Sequence, residues 1–342
     1  MLLPTINNLD IPTLESLVAK QRGVGRRSVP KIAIAHEVLD AEPASKPTST
    51  RVSRAAEVLR EKTNEALQRT KSQLEQRVLQ GVLPLWDDDN RGIPNPLVRS
   101  GLFTVGNSDK REYVPDMVIA SLSNYEIRYT GSELRQDDLS VWLSLINLAR
   151  KKPISEAIYF TGYQVVKDLG WRMHSESYKR VQDCIERLKV TGLKITTRGH
   201  ESAYSGSLIR DYGWTERDDA GNIKWMVRFE PRISALFMED TTTLLEWEMR
   251  KIIGPRSTLA LWLLSFYSTH RDPEPNSLGK IYELCRSRDT LSSFRRNVRN
   301  ALAKLVEKKF LKSFNMDNDM LQVEKLKADK RSTQKLIRTK KA

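Results

Sequence analysis

The chain has 342 residues, of which 39% are hydrophobic, and it carries a formal net charge of +14 at pH 7. That length and composition support one large core or two ordinary domains. The two cysteines, Cys184 and Cys285, both lie among apolar residues. This favours buried thiols in a reducing compartment over a disulfide framework or a metal site.

The positive charge favours a polyanionic partner, because each phosphate that a protein neutralises releases counterions. A basic surface that only keeps the protein soluble is the alternative. The longest apolar run, residues 259–267, is about half the length of a membrane-spanning helix. The N-terminal residues lack the basic start and cleavage site of a secretory signal. We therefore expect a cytoplasmic protein without a membrane partner.

Residues 1–84 contain no tryptophan, phenylalanine or tyrosine, and residues 41–50 are rich in Pro, Ser and Thr. Such a segment is not expected to hold a packed core. Residues 51–80 have neither Gly nor Pro and carry a weak apolar stripe, which predicts one long helix stabilised by a partner or by dimerisation. We predict an N-terminal arm over 1–84, partly disordered and partly helical. A solvated, only partly ordered arm is the alternative.

From Trp86 onward the aromatic residues appear, and periodicity predicts a first winged-helix domain over 85–238. Thr161 and Ser175 are candidate N-caps of the second and third helices. The predicted elements, in order, are a helix over 134–153, a strand over 157–161, helices over 162–170 and 175–191, and strands over 193–199, 207–214 and 223–230, with a turn at 219–222.

The same order recurs after residue 239, which predicts a second winged-helix domain over 239–326. Its expected elements are a lead-in segment over 244–253, helices over 254–273, 276–286 and 289–310, and a hairpin over 312–326. Pro153 and Pro273 end the first helix of each copy alike. The fold class is therefore α+β and mainly helical. The basic residues 327–342 lack an apolar period and are predicted to form a disordered tail.

The third helices of the two copies repeat one design at a spacing of 117 residues, as from Val181 to Val298. The apolar stripe predicts a core face, and the opposite face is basic. Two basic helices on one chain indicate a protein that binds double-stranded DNA through two domains, here called heads. The candidate DNA-binding residues are Ser175, Ser177, Lys179, Arg180, Gln182, Arg187 and Arg198 in the first copy and Arg295, Arg296, Arg299, Asn300 and Lys304 in the second.

The sequence contains no phosphate-cradling glycine loop of the nucleotide-binding kinds. Its four histidines are scattered, so no metal site beside a nucleophile is expected. Capping and solubility explain the acidic pair Asp137 and Asp138 better than metal-ion catalysis does. We predict a non-enzymatic protein without a cofactor or metal; a DNA-processing enzyme is the alternative. His174 is interpreted as a turn residue, with a phosphate or base contact as its alternative, and Trp142, Trp171, Trp247 and Trp262 are interpreted as core.

Several motifs resemble one family in the same order along the chain: RSGLFTVGN, YTGSELRQDDLSVW, FTGYQVVKDLGW and FYSTHRDPEP. The resemblance, to the TrfA family of plasmid replication initiators, covers residues 85–311. It implies binding to direct repeats (iterons) at a plasmid origin, opening of adjacent AT-rich DNA, recruitment of the host initiator, helicase and sliding clamp, and a homodimer in equilibrium with a monomer. A transcriptional or copy-number repressor with the same two heads is the alternative.

Members of that family can carry a clamp-binding peptide just before the globular part. Here the string is QGVLPLW, residues 80–86, which matches a looser form with tryptophan in place of phenylalanine. The resemblance makes Gln80, Leu83, Leu85 and Trp86 candidate sliding-clamp contacts. Alternatively, Leu85 and Trp86 simply begin the folded domain.

Overall fold

The structure is a computed structural model and describes residues 60–63, 81, 83–84, 86–108, 110–122, 125–197, 203–217, 223–237 and 241–326. The chain divides into two compact units, Met1–Asn64 and Glu65–Ala342. In the first unit, residues 60–63 are helical and exposed. The rest of the predicted arm helix, the turn at 219–222, Arg198 and the tail 327–342 lie outside the described residues.

Eight α-helices occur in the described part of the second unit. They are α1 (Asn95–Val98), α2 (Gln136–Ala149), α3 (Gly162–Asp168), α4 (Ser175–Lys189), α5 (Trp247–Ile253), α6 (Thr258–Ser268), α7 (Leu278–Cys285) and α8 (Leu291–Glu307). A 3₁₀ helix covers Pro231–Leu236.

Fourteen strands accompany these helices in the same residues. They are β1 (Asn90–Pro94), β2 (Phe103–Thr104), β3 (Tyr113–Ile119), β4 (Tyr125–Ser132), β5 (Leu134–Arg135), β6 (Ile158–Thr161), β7 (Gly192–Thr197), β8 (Ala203–Gly206), β9 (Asp211–Arg217), β10 (Ile223–Arg228), β11 (Thr242–Glu246), β12 (Asn276–Ser277), β13 (Leu311–Asp317) and β14 (Met320–Lys325). The fold is therefore mixed, and the prediction of a mainly helical chain is not confirmed.

The first predicted copy folds in the expected element order, from α2 through β6, α3 and α4 to β9 and β10. Its three strands form an antiparallel sheet in the order β6-β10-β9. The hydroxyl of Thr161 accepts a hydrogen bond from the Gln164 N–H and caps α3, as predicted. The cap of α4 is His174, and Ser175 is the first helical residue, so the prediction that Ser175 caps this helix is wrong by one position.

The second copy repeats this order with α6, β12, α7, α8, β13 and β14. Its sheet order, β12-β14-β13, places the three strands as in the first copy. The side chains of Ser277 and Thr290 cap α7 and α8. Asn318 and Asp319 both have positive φ at the hairpin turn, the backbone that two-residue hairpin loops need.

A four-stranded sheet in the order β3-β4-β7-β8 is present that the sequence did not predict. The strand expected over 193–199 is β7, which pairs with β4 and β8 and not with the β9–β10 hairpin. Strand β1 pairs with β11, so backbone hydrogen bonds connect residues on both sides of the predicted boundary at 238/239. The domain limits therefore stay predictions inside one compact unit.

Packing between the two copies includes a fully buried arginine. The guanidinium of Arg250 on α5 donates to Ser140 Oγ at 2.9 Å, to the Gln136 carbonyl at 2.9 Å and to Ser265 Oγ at 3.0 Å. Burial among these neutral acceptors lowers its pKa to about 9. Arg250 therefore joins α2 and α6, which begin the two copies. None of the described helices is both long and apolar enough to cross a bilayer.

Candidate nucleic-acid interface

The two long helices α4 and α8 bury the apolar stripes that the sequence predicted. Val181, Cys184, Ile185 and Leu188 are all at most 2% exposed on α4. On α8 the corresponding Val298, Ala301, Leu302 and Leu305 are likewise buried. Because these positions recur at helical spacing, the opposite face of each helix turns away from the core. Both cysteines are buried free thiols, as predicted.

On α8 the outer face is basic and largely unpaired. Arg296, Arg299 and Asn300 are exposed, and neither arginine forms an ion pair or hydrogen bond with another described side chain. Arg295 instead pairs with Asp319 in the β13–β14 turn. Free guanidinium groups on an exposed helix face can bind phosphate or base edges without first breaking an internal ion pair.

Lys304 is also committed to an internal contact. Its Nζ donates to the Ile253 carbonyl at 2.8 Å and to Ser257 Oγ at 2.6 Å. This lysine therefore attaches α8 to the turn before α6, and only part of its side chain faces solvent.

On α4 the predicted residues divide between surface and interior. Ser175 and Lys179 are exposed and Gln182 is half-buried. Arg180 is 41% exposed, and its Nε lies 3.2 Å from an Asp137 carboxylate oxygen. Its guanidinium also lies over the Trp171 ring, 4.6 Å from the centroid. Arg180 is therefore oriented by two contacts but still reaches solvent.

Two of the candidate DNA contacts, Arg187 and Ser177, turn inward. The expected outer-face position of Arg187 is therefore wrong, and DNA contact by either residue stays a prediction. Arg187 is 18% exposed and its Nε donates to the buried carboxylate of Asp138 at 2.9 Å. Ser177 is 6% exposed, and its backbone N–H donates to His174 Nδ1 at 3.3 Å. Arg187 turns inward because the buried Asp138 carboxylate, which packs against α4, binds its guanidinium.

That carboxylate belongs to a buried acidic pair at the start of α2. Arg111 contacts Asp137 at 2.9 Å and Asp138 at 2.6 Å. Burial disfavours ionisation of Asp137, but Arg111, Arg180 and Arg187 outweigh it and lower the pKa of its carboxyl to about 2. Asp138 also accepts the Arg135 backbone N–H, so the predicted capping role is confirmed, whereas a role in solubility is wrong because Asp138 is buried.

Asp137, Asp138 and Cys184 lie close enough together to suggest metal ligation, with candidate ligand atoms within 4.8 Å of one another. The chemistry of the surroundings argues against it. The carboxylate oxygens already accept hydrogen bonds from Arg111 and Arg187, and both guanidinium charges would repel a cation. Burial raises the pKa of the Cys184 thiol, which disfavours the thiolate that a metal requires. The cluster fits an ion-pair network that holds α4 against α2.

The sequence reasoning missed a basic groove between α4 and α8, here called the interhelix groove. Its volume is about 550 Å³. The lining includes Arg172, His174 and Arg180 at the start of α4, Lys304 of α8, and the turn at 254–257. Arg256 and Arg172 are exposed. Arg256 falls in the helix predicted over 254–273, but α6 begins at Thr258 and residues 254–257 form a turn, so the sequence marked neither arginine as a candidate.

The β9–β10 hairpin contributes an exposed aromatic residue that was also not predicted. Trp214 is 62% exposed, and its ring lies 6.4 Å from that of Trp225 and 6.5 Å from that of Tyr212. In contrast, Trp142, Trp171, Trp247 and Trp262 are buried as predicted. His174 is the exposed cap of α4, which agrees with its interpretation as a turn residue.

The described apolar candidates of the predicted clamp-binding peptide, Leu83 and Trp86, are buried. Leu83 is 1% exposed and Trp86 is 8% exposed. The Trp86 indole donates to Asn147 Oδ1 at 2.9 Å, and its ring stacks on Phe237 at 6.1 Å. Leu83 and Trp86 are therefore core, which favours the alternative that this segment begins the folded domain, and sliding-clamp binding by the segment stays a prediction. Gln80 and Leu85 lie outside the described residues.

A family model described as TrfA protein matches residues 47–325. The plasmid replication initiator protein TrfA of Escherichia coli is 32% identical over 241 residues, which make up 69% of this chain. The match spans 62% of that relative's length, less than two thirds of it.

Two solved structures are also similar, both crystal structures of domains 2 and 3 of RctB. Their TM-scores are 0.45 and 0.41, with sequence identities of 12% and 14%. They cover 65% and 67% of this chain and 94% of their own chains.

Proposed function

We propose a function from one premise: the chain belongs to the TrfA family, whose curated relative in Escherichia coli is a plasmid replication initiator. In this proposal the protein binds directly repeated sites at a plasmid origin and opens the adjacent AT-rich segment. It then recruits the host initiator, helicase and sliding clamp, and exchanges between homodimer and monomer. It acts as a DNA-binding protein in the cytoplasm and not as an enzyme.

In this proposal the two repeated copies, predicted over 85–238 and 239–326, are winged helices. In each, a helix, a strand and two helices precede a hairpin, and in the first copy β7 and β8, which belong to another sheet, come between α4 and that hairpin. Each three-stranded sheet has its first strand beside its last. In that interpretation α4 and α8 are the recognition helices, because the second helix of a helix-turn-helix enters the major groove. The β9–β10 and β13–β14 hairpins would contact the flanking backbone.

The exposed face of α8 is the single observation that best supports the proposal. Arg296 and Arg299 are free of internal partners in the described part of the chain, and Asn300 is exposed beside them. Arginine pairs with guanine and asparagine with adenine in the major groove. These residues are therefore proposed to read bases, while Lys179, Arg180 and Gln182 of α4 position or read the other half of the site.

Binding of the full chain to origin DNA tests the proposal. Duplexes carrying the direct repeats should compete far better than scrambled duplexes of equal length. The logarithm of affinity should fall with the logarithm of salt concentration at a slope of about 0.9 per phosphate contact, with about 6 to 10 contacts if both heads engage. A slope of about 3 would show that one head binds alone.

A permanganate assay on supercoiled origin DNA separates an initiator from a repressor. An initiator should make thymines of the AT-rich segment reactive when it binds the repeats. Repeat binding without thymine reactivity, in the presence of the host initiator, would favour the repressor and contradict the opening step.

A further inference from the structure

The turn at 254–257, between α5 and α6, has a restricted backbone conformation. Gly254 has φ +80°, a conformation that other residues adopt only with strain, and Pro255 restricts the next φ. The Ser257 N–H donates to the Gly254 carbonyl at 3.2 Å and closes the turn. Arg256 is therefore presented by a short, hydrogen-bonded turn and not by a long loop.

Contacts from α8 brace this turn on both sides. Lys304 donates to the carbonyl of Ile253, just before the turn, and to the hydroxyl of Ser257 at its end. The Ser257 carbonyl also accepts the Leu261 N–H at the start of α6. The position of Arg256 is thus coupled to α8, one of the two proposed recognition helices.

Arg256 lies where three grooves meet. The interhelix groove runs from the turn to the first residues of α4. A second groove of about 520 Å³ runs from the turn along Asn297 and Asn300 of α8. A third, of about 320 Å³, runs toward Arg111 and Arg180. Arg256 lines all three, so it borders grooves that reach both α4 and α8.

The charges around Arg256 favour an anion. The grooves are also lined by Arg172, Arg180, Arg288 and Lys304. The acidic residues that line these grooves have other partners or are exposed.

Asp137 is paired with Arg111 and Arg180, and Asp289 accepts a hydrogen bond from Asn297. Glu176 is the carboxylate that lines the interhelix groove, and it is exposed. Arg256 is exposed, and its guanidinium forms no hydrogen bond or ion pair with the described residues.

We propose that Arg256 binds a backbone phosphate of the DNA segment that runs between the two recognition helices. A guanidinium binds phosphate through two parallel N–H···O bonds. Because the turn is braced against α8 and borders the start of α4, this contact would fix the spacing between the two heads on one site. The inference rests on the proposed function, and it adds a phosphate site that belongs to neither recognition helix.

The test uses the full chain and a duplex with one repeat, in which single phosphates are replaced in turn by neutral methylphosphonates. Arg256→Ala should weaken binding about tenfold and reduce the magnitude of the salt slope by about 0.9. One phosphate replacement, at a position between the two contacted major grooves of the DNA, should weaken binding of the unchanged chain. It should not weaken binding of Arg256→Ala further, because that variant has already lost the contact.

Arg232→Ala is the matched control, because Arg232 is exposed on the 3₁₀ helix and lines none of the three grooves. It should keep the salt slope and remain sensitive to the same phosphate. If the unchanged chain binds the repeat while Arg256→Ala keeps its full slope and phosphate sensitivity, the Arg256 inference fails alone. If the unchanged chain shows no preference for the repeat, the proposed function fails and the inference fails with it.

Discussion

Arginines on the two proposed recognition helices have different roles because their internal partners differ. Arg299 is exposed without a partner, Arg295 pairs with Asp319, and Arg187 neutralises a buried carboxylate. An unpaired guanidinium can bind DNA without losing an internal contact. A buried one is needed where it is, because removing it leaves an acid uncompensated.

Arg299→Ala should reduce affinity for origin DNA by about 1 to 3 kcal/mol if the guanidinium meets a base edge, and by less if it meets only phosphate. Arg295→Ala is the comparison on the same helix. Its loss should be smaller, because Arg295 must first leave Asp319. Titration of a labelled repeat duplex measures both. Unchanged affinity in Arg296→Ala, Arg299→Ala and the double variant would contradict the assignment of α8.

Arg187→Ala should instead lower the free energy of unfolding by about 2 to 3 kcal/mol, because Asp138 would remain buried with Arg111 as its main cation. Lys179→Ala, at an exposed position of the same helix, should leave stability within about 0.5 kcal/mol. Denaturant unfolding of the two variants distinguishes the roles. A stable Arg187→Ala protein that has lost DNA affinity would show that Arg187 is a DNA contact after all.

At the scale of elements, the sequence was sufficient where the determining interactions are local. The stripe through Val298 and Leu302, the cap at Thr161 and the hairpin predicted over 312–326 each depend on neighbours within about two helical turns. Helices α2, α4, α6 and α8 therefore appear where periodicity predicted them. The buried stripes of the two proposed recognition helices were predicted for the same reason.

Long-range pairing is where the prediction failed. Tyr129 of β4 pairs with Leu193 of β7 across the unpredicted sheet, and no local pattern specifies which distant strand joins which. The inward position of Arg187 likewise depends on Asp138, which lies 49 residues earlier in the chain. Arg256 was missed because its significance comes from two helices distant in sequence that meet beside a short turn.

The segment before β1 shows the same ambiguity in a short motif. Leucine and tryptophan at clamp-motif spacing are also what a core needs, and the structure buries Leu83 and Trp86. Leu83→Ala should lower the free energy of unfolding by about 2 to 5 kcal/mol. The exposed Leu148 on α2 provides the control, and Leu148→Ala should change stability by at most about 0.5 kcal/mol. A fully stable Leu83→Ala protein would reopen the peptide interpretation.

Considered as a whole molecule, the second unit combines two similarly built copies with an extensive shared interior. Strand β1 pairs with β11, and Arg250 joins α2 to α6. Such packing favours heads that hold a fixed spacing over heads that move independently on a linker. A fixed spacing is useful to a protein that must recognise one repeat with both recognition helices at once.

Hydroxyl-radical and methylation footprinting of the full chain on the plasmid origin tests this two-headed account most directly. The account predicts, within each direct repeat, two protected major-groove segments separated by about one helical turn of 10 to 10.5 base pairs. Arg299→Ala should weaken protection at one segment, and Lys179→Ala at the other. Protection of a single segment in each repeat, or protection that does not follow the repeats at all, would contradict it.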